Sequence, residues 1–367
     1  MGLPDVLANG SNLLLLLFTG FGAGVLSGFA GVGGSFVVTP ALIIIGFPAN
    51  FAVGTGLAWV MGNSVVGALR HGRMGNIDVR VGLIMLVAST VGMEGGVRAL
   101  NLATQRGMAN EVVLSISVVM LAAVGVYTLI ESYRRKRQID GILQRHEKPP
   151  PPLRTAVSLR LQGVRLAPVI QLEKSGIRIS VWILVVIGLF TGVLAGVMGV
   201  GGGFIVVPAL VYLVGMPSFL AVGTSLFQIV FSSAYGTVRH TLSGNVFIFA
   251  AVVMMIASSV GVQYGALVTR YVRGLSVRYV LGVSVILCAA GAALKLFGVV
   301  WEPGRTLLET ISLGVIFGGI FLTVLLVLML FIMALRYRRG RRIPRWAESF
   351  VASDEEVSGQ KGRERSP

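Results

Sequence analysis

Residues 20–42 read GFGAGVLSGFAGVGGSFVVTPAL, and residues 188–210 read GLFTGVLAGVMGVGGGFIVVPAL. The two stretches share six glycines and their proline at a shift of 168 residues, including Gly31 with Gly199 and Pro40 with Pro208. One residue is then slipped. Ala52-Val53-Gly54-Thr55 matches Ala221-Val222-Gly223-Thr224 at a shift of 169, as do Arg70-His71 with Arg239-His240 and Gly75-Asn76 with Gly244-Asn245. Ala88-Ser89-Thr90-Val91-Gly92 likewise matches Ala257-Ser258-Ser259-Val260-Gly261. A shared apolar composition explains matching Val and Leu, but not paired prolines and Arg-His pairs. The chain is an internal repeat.

Composition says what solvent the repeat lives in. Of 367 residues, 54% are hydrophobic and 13% charged, whereas soluble chains carry about a quarter charged residues. Mean hydropathy is +0.84. The net charge of +16 would suit a nucleic-acid binder only if spread over one face. Here the basic residues cluster between long apolar runs, as in the cytoplasmic loops of a membrane protein, and no nucleic-acid partner is expected. Spans are expected at Asn12–Gly46, Phe51–Arg70, Val81–Leu100, Glu111–Tyr133, Ser180–Val214, Phe219–Arg239, Phe247–Arg270, Val277–Phe297 and Leu307–Leu335, since about 20 apolar residues cross the hydrocarbon. The first and fifth are too long for one crossing. Each reads as a helix, an unwound glycine stretch and a shorter second helix, tolerated where the freed backbone lines protein or a cavity. No Lys or Arg precedes Leu13, so the first apolar run reads as a retained span and not a cleaved signal peptide.

The expected organisation is a first repeat at 1–133, a basic proline-bearing linker at 134–179, a second repeat at 180–299, an extra helix at 300–335 and a polar tail at 336–367. The fold class is all-α and polytopic. Arg70, Arg73 and Arg80, then Arg134, Arg135, Lys136 and Arg137, then Arg270, Arg273 and Arg278, and last the block from Arg336 to Arg345 all fall inside if the N-terminus lies outside and the C-terminus in the cytoplasm. Each half then crosses an odd net number of times, and the halves are inverted copies. Inverted repeats with broken helices at mid-membrane are transporter architecture. The linker holds 11 basic and 3 acidic residues, a net +8, enough to lie on anionic lipid. Val157–Leu161 alternates like a strand and is expected to pair with residues 163–172, on a segment otherwise read as a tether. The tail after Arg345 reads as disordered.

The doubled G-V-G-G-[SG]-F-x-V-x-P-A-L, each copy followed by A-V-G-T and then R-H, resembles the sulfite exporter TauE/SafE family of membrane permeases. The resemblance spans roughly residues 12–133 and 180–299. It implies a bacterial inner-membrane carrier of small sulfur anions such as sulfite and organosulfonates (sulfoacetate, or products of taurine). The long linker and the extra terminal helix depart from the compact family pattern.

Several groups carry the candidate chemistry. Gly33, Gly34 and Ser35, with Gly202 and Gly203, free backbone N–H groups at the start of a helix, whose positive dipole end suits an oxyanion; the competing reading is close helix packing. Thr55, Asn63, Thr224 and Gln228 could select among oxyanions by hydrogen bonding, against plain interhelical bonding. Arg70, His71, Arg239 and His240 could attract or gate the anion, although Arg at a helix end commonly snorkels. Glu94 is the one acid well inside a span, where an ionisable group is a functional hypothesis; it is a candidate for proton coupling, against a local pair with Arg98. Sodium is the other candidate coupling ion. His71, His146 and His240 lack zinc spacing, no nucleophile–base set converges, and neither cofactor nor enzymatic activity is expected. The rival functions are a channel-like anion pore and a membrane scaffold working through the linker and tail.

Overall fold

The computed structural model describes residues 10–145, 156–163, 166–172, 174–269, 271–272, 274–301, 304–340, 344 and 350. Backbone N–H and C=O groups have no water to bond in hydrocarbon, so apolar runs close their bonds internally as helices. Nine helices among the described residues are long and apolar enough to cross a membrane. In chain order these are α1 (Gly10–Ala30), α3 (Ala49–Arg73), α4 (Val79–Gln105), α5 (Ala109–Arg145), α7 (Val181–Met198), α9 (Ser218–Leu242), α10 (Ile248–Val268), α11 (Gly274–Val300) and α12 (Arg305–Arg338). The protein is a polytopic all-α membrane protein. Two short apolar helices follow the breaks, α2 (Ser35–Ile45) and α8 (Gly203–Pro208), and the latter widens into a π-helical turn at Ala209–Val214. Both breaks fall where the sequence places them. Gly31, Gly33, Gly34, Gly199, Gly201 and Gly202 all have φ between 63° and 81°, a left-handed conformation that costs other residues about 1–2 kcal/mol each.

The two prolines act differently. Pro40 has no N–H to give to the Phe36 carbonyl one turn earlier; the buried Cys288 thiol of α11 donates to that carbonyl instead, at 3.2 Å. After Pro208 the helix relaxes into its π turn, a common response to a disturbed ladder.

Glycine stripes lock the halves together. On α1, a Cβ at Gly20, Gly24 or Gly28 would lie 2.7–2.9 Å from the Cα of Met254, Ser258 or Val262 on α10. The repeat-equivalent α7 stripe, Gly188, Gly192 and Gly196, meets Met85, Ser89 and Met93 on α4 in the same way. Each first helix is therefore packed backbone to backbone on the third helix of the other half, the small-residue packing that membranes favour. Equivalent helices meet each other too. Gly67 faces Leu226 while Leu57 faces Gly236, and Gly125 faces Ile286 while Leu129 faces Gly282. In both pairs one number rises as the other falls, so α3 and α9 run antiparallel, as do α5 and α11.

The linker is built differently from the expected tether. Residues 134–145 continue α5 without a break. Val157–Leu161 is not a strand: Ala156–Gln162 forms helix α6, and the hairpin lies further on, β1 (Val169–Leu172) against β2 (Ile177–Ser180). A helix puts Ser158 and Gln162 on one face; Ser158 is buried and Gln162 Nε2 donates to the Val214 carbonyl at 2.9 Å. Leu172, Ile177 and Ile179 join a core cluster with Leu210, Val211, Val214 and Met216, and burying such side chains contributes about 1.5–3 kcal/mol each. Lys174 Nζ donates to the carbonyls of Gly75 and Ile77, both at 2.7 Å. Of the tail, Phe350 is packed beside Tyr279, with centroids 5.7 Å apart, and its carbonyl accepts from Ser276 Oγ at 2.7 Å. The expected disorder beyond it, with Arg270, Arg273, Arg341, Arg342 and Arg345 of the charge argument, lies outside the described residues.

Candidate functional site

The two broken-helix loops touch. Ser35 Oγ donates to the Val200 carbonyl, and a Cβ at the repeat-equivalent Gly203 would sit 2.6 Å from the Val32 carbonyl. The start of α2 and the start of the 12-residue apolar helix Gly203–Val214 thus meet loop against loop. Space within the loops is uneven. A Cβ at Gly33 meets nothing within 4 Å, and at Gly202 nothing nearer than 3.5 Å, whereas Gly34 is closed by the Ala23 carbonyl at 2.2 Å and Gly201 by Val60 Cγ1 at 2.6 Å. Val60 of α3 and Ile229 of α9 touch the second loop at Gly201. Their chain neighbours Trp59 Nε1 and Gln228 Oε1, with Thr39 Oγ1 of α2 and Ser225 Oγ of α9, are buried polar atoms with no hydrogen-bond partner among the described residues. Thr39 Oγ1 would stand 3.0 Å from a Cβ at Gly199, so one of these atoms faces the loop itself. Buried polar atoms are normally paired, and a group of orphans asks for a ligand or water. Gln228 occupies the position of Trp59 in the other half, an amide where its counterpart is an indole.

The other expected ligands are engaged elsewhere. Thr55 Oγ1 accepts from the Phe247 backbone N–H at 3.0 Å, and Thr224 Oγ1 accepts from Asp78 N–H at 2.9 Å. These are the same bond in the two halves, each threonine holding the corner before the third helix of the other half. The adjacent glycines explain the A-V-G-T motif: a Cβ at Gly54 would be 2.3 Å from the Asn245 carbonyl and 3.0 Å from the His240 Cβ, and at Gly223 it would be 1.9 Å from Asn76 O and 3.1 Å from the His71 Cβ. The R-H and G-N motifs are thus the surfaces that A-V-G-T packs against. Asn63 bridges α1 and α10, donating to Ser27 Oγ at 2.7 Å and accepting from Ser258 Oγ at 3.1 Å.

The profile of the family described as Sulfite exporter TauE/SafE matches residues 16–292. The chain belongs to the sulfite exporter TauE/SafE family. Similar proteins carry transporter names: "Probable membrane transporter protein YunE" of Bacillus subtilis is 24% identical over 75% of this chain and 95% of its own length. "Probable membrane transporter protein MJ0441" of Methanocaldococcus jannaschii is 27% identical over 54% of this chain and 61% of its own. "Sulfite exporter TauE/SafE family protein 2" of Arabidopsis thaliana is 32% identical over 34% of this chain and 29% of its own. No solved structure matches. The protein is a membrane transporter of the TauE/SafE family.

Glu94 of this TauE/SafE protein stands at the centre of a cluster of ionisable side chains. Glu94 pairs with its expected neighbour Arg98 at 2.9 Å, but its main partner is Arg239, which grips both carboxylate oxygens at 2.7 and 2.9 Å. Tyr235 Oη donates to the same carboxylate at 2.8 Å. Arg239 is thus an ion-pair partner bridging α9 to α4, and Arg70, its counterpart, is exposed at the end of α3. His240 is fully buried and His71 half-buried. Sequence reading missed Tyr235 and the Arg239–Glu94 pair because the partners are 141 and 145 residues apart. It missed Ser27 and Ser258 for the same reason.

Proposed function

We propose that this chain is a secondary carrier of small sulfur oxyanions, sulfite and organosulfonates, in the bacterial inner membrane, with its N-terminus outside and its C-terminus in the cytoplasm. The observation that carries the reading is the meeting of two broken-helix starts, loop on loop, beside buried polar atoms that lack partners. Helix N-termini present fixed positive potential and backbone donors without a buried Lys or Arg that would hold an anion too tightly to release. Gly33 and Gly202 are the loop positions with room around them, and Gln228 supplies a side-chain amide on α9; Thr55, Thr224 and Asn63 position the helices that frame the site. The antiparallel run of α3 against α9, and of α5 against α11, supports inverted halves, because an axis in the membrane plane reverses every equivalent helix.

The moving bodies in such a carrier would not be the two sequence halves. The glycine stripes and the threonine bonds join α1–α3 to α10, and α7–α9 to α4, leaving the α3–α9 crossing and the loop contact between these two bodies, with the α5–α11 pair packed as a third unit. Glu94, held by two arginines and a tyrosine, is not assigned proton coupling. Purified protein in liposomes, loaded with sulfite or an organosulfonate, tests the reading directly. Tracer efflux above that from empty liposomes supports it, and absence of flux for every sulfur anion overturns it.

A further inference from the structure

The cluster around Glu94 is richer than an ordinary ion pair, and nothing in the repeat generates it. Its carboxylate receives four donors: Arg239 Nε and Nη2 at 2.7 and 2.9 Å, Arg98 Nε at 2.9 Å and Tyr235 Oη at 2.8 Å. Two arginines against one acid leave a formal +1. At the equivalent positions of the other half stand Gln263 for Glu94, Arg70 for Arg239, Val66 for Tyr235 and Leu267 for Arg98. One half has therefore acquired a whole cradle and its occupant, while the other kept a single bare arginine. The cradle is not sealed. Glu94 is 22% exposed and Arg98 76%, and both border a groove whose remaining walls are Thr90, Val91, Gly95 and Tyr235. A planar guanidinium that grips two oxygens of a carboxylate offers the same fork to two oxygens of any small oxyanion.

We propose that the Arg239–Arg98–Tyr235 cradle is an oxyanion station that Glu94 fills with its own carboxylate, and that a small singly charged oxyanion with two acceptor oxygens, such as a sulfonate, enters by displacing it. Glu94 swings out into the groove as the anion takes the fork and returns when it leaves. With the anion seated, the two arginines balance it and the displaced carboxylate to a net charge of zero, and the station weakens its own hold on the anion through this competition. The inference rests on the carrier reading for the choice of anion, but its test reads binding rather than flux.

The experiment measures thermal unfolding of the detergent-purified full chain against methanesulfonate concentration, with chloride at equal ionic strength as the control. Phosphatidylglycerol forms a separate arm, because a lipid phosphate offers the same oxygens. With Glu94→Gln the competitor is gone, and half-maximal stabilisation by methanesulfonate is expected at a concentration at least tenfold lower than for the unaltered protein. Glu94→Asp, shorter by one methylene, keeps the fold in reserve and is expected to fall between the two. Glu94→Gln combined with Arg239→Gln is expected to lose the effect. Three results overturn the proposal: no tighter methanesulfonate response in Glu94→Gln and Glu94→Asp, an undiminished response in the double variant, or stabilisation by phosphatidylglycerol alone. Because no transport is measured, failure of the carrier reading leaves these outcomes distinct.

Discussion

Thr55 and Thr224 look alike as anion ligands and as interface bonds until their partners are seen. Each hydroxyl accepts from a backbone N–H that opens the third helix of the opposite half, so a Val in its place leaves that donor buried and unpaired. Thr224→Val is expected to lower stability by about 1–3 kcal/mol, read as a fall in melting temperature, while the anion's apparent KM stays unchanged. A raised KM at unaltered stability would return the residue to the binding site. The glycines separate in the same way. Gly34→Ala drives a Cβ to 2.2 Å from the Ala23 carbonyl, which backbone cannot yield, and is expected to prevent stable insertion. Gly202→Ala meets only ordinary contacts and adds left-handed strain of about 1–2 kcal/mol; it is expected to insert and lose flux. Size-exclusion profiles beside liposome flux check both.

Among elements, the hairpin and α6 decide whether 134–179 is a tether or part of the fold. Ile179 is 1% exposed and belongs to the core cluster that includes Leu210 and Val214 at the end of the second broken helix. Ile179→Asp places an unpaired charge in that contact, and a loss of about 3 kcal/mol or more is expected. Trypsin cleavage at Arg160, Lys174 and Arg178 should then speed up markedly; unchanged cleavage would restore the tether. Deleting residues 138–175 removes α6 and β1 with the loop, so it is expected to damage the second half and not merely release a partner. The cysteine belongs at this scale as well. Cys288→Ser keeps a donor for the Phe36 carbonyl that Pro40 leaves open and is expected to melt with the parent protein. Cys288→Val removes the donor and is expected to cost about 1–3 kcal/mol.

For the whole molecule, exchange of the third helices makes a cross-linking prediction that simple halves would not. In a Cys288→Ser background, Gly67→Cys with Leu226→Cys joins α3 to α9 across the two bodies, and oxidation is expected to stop flux until a reductant is added. Gly62→Cys with Met255→Cys joins α3 to α10 within one body, where a Cβ at Gly62 lies 3.7 Å from Met255 Cγ, and oxidation is expected to leave flux intact. The two sequence halves own α3 and α10 separately, so a carrier rocking half against half would be stopped by both links. Flux readings before and after reduction decide between them.

The sequence alone determined the membrane solvent, the spans, the two breaks and the duplicated motifs, because each of these depends on local composition and on identity at a fixed shift. Helix formation in lipid follows from apolar length, and a run of glycines beside a proline marks a break wherever it stands. The partners of the motifs were decided only by tertiary structure. A-V-G-T, R-H and G-N repeat in the sequence as three separate signatures, yet Gly54, His240 and Asn245 form one contact whose members come from opposite halves. The G-x-x-x-G spacing at Gly20, Gly24 and Gly28 marks a packing face without saying which helix fills it. Glu94 and Arg239 are likewise invisible as a pair, for a carboxylate does not record which of several arginines will reach it. Close backbone approach and charge pairing act over a few ångströms of space, and chain order sets no limit on what lies there.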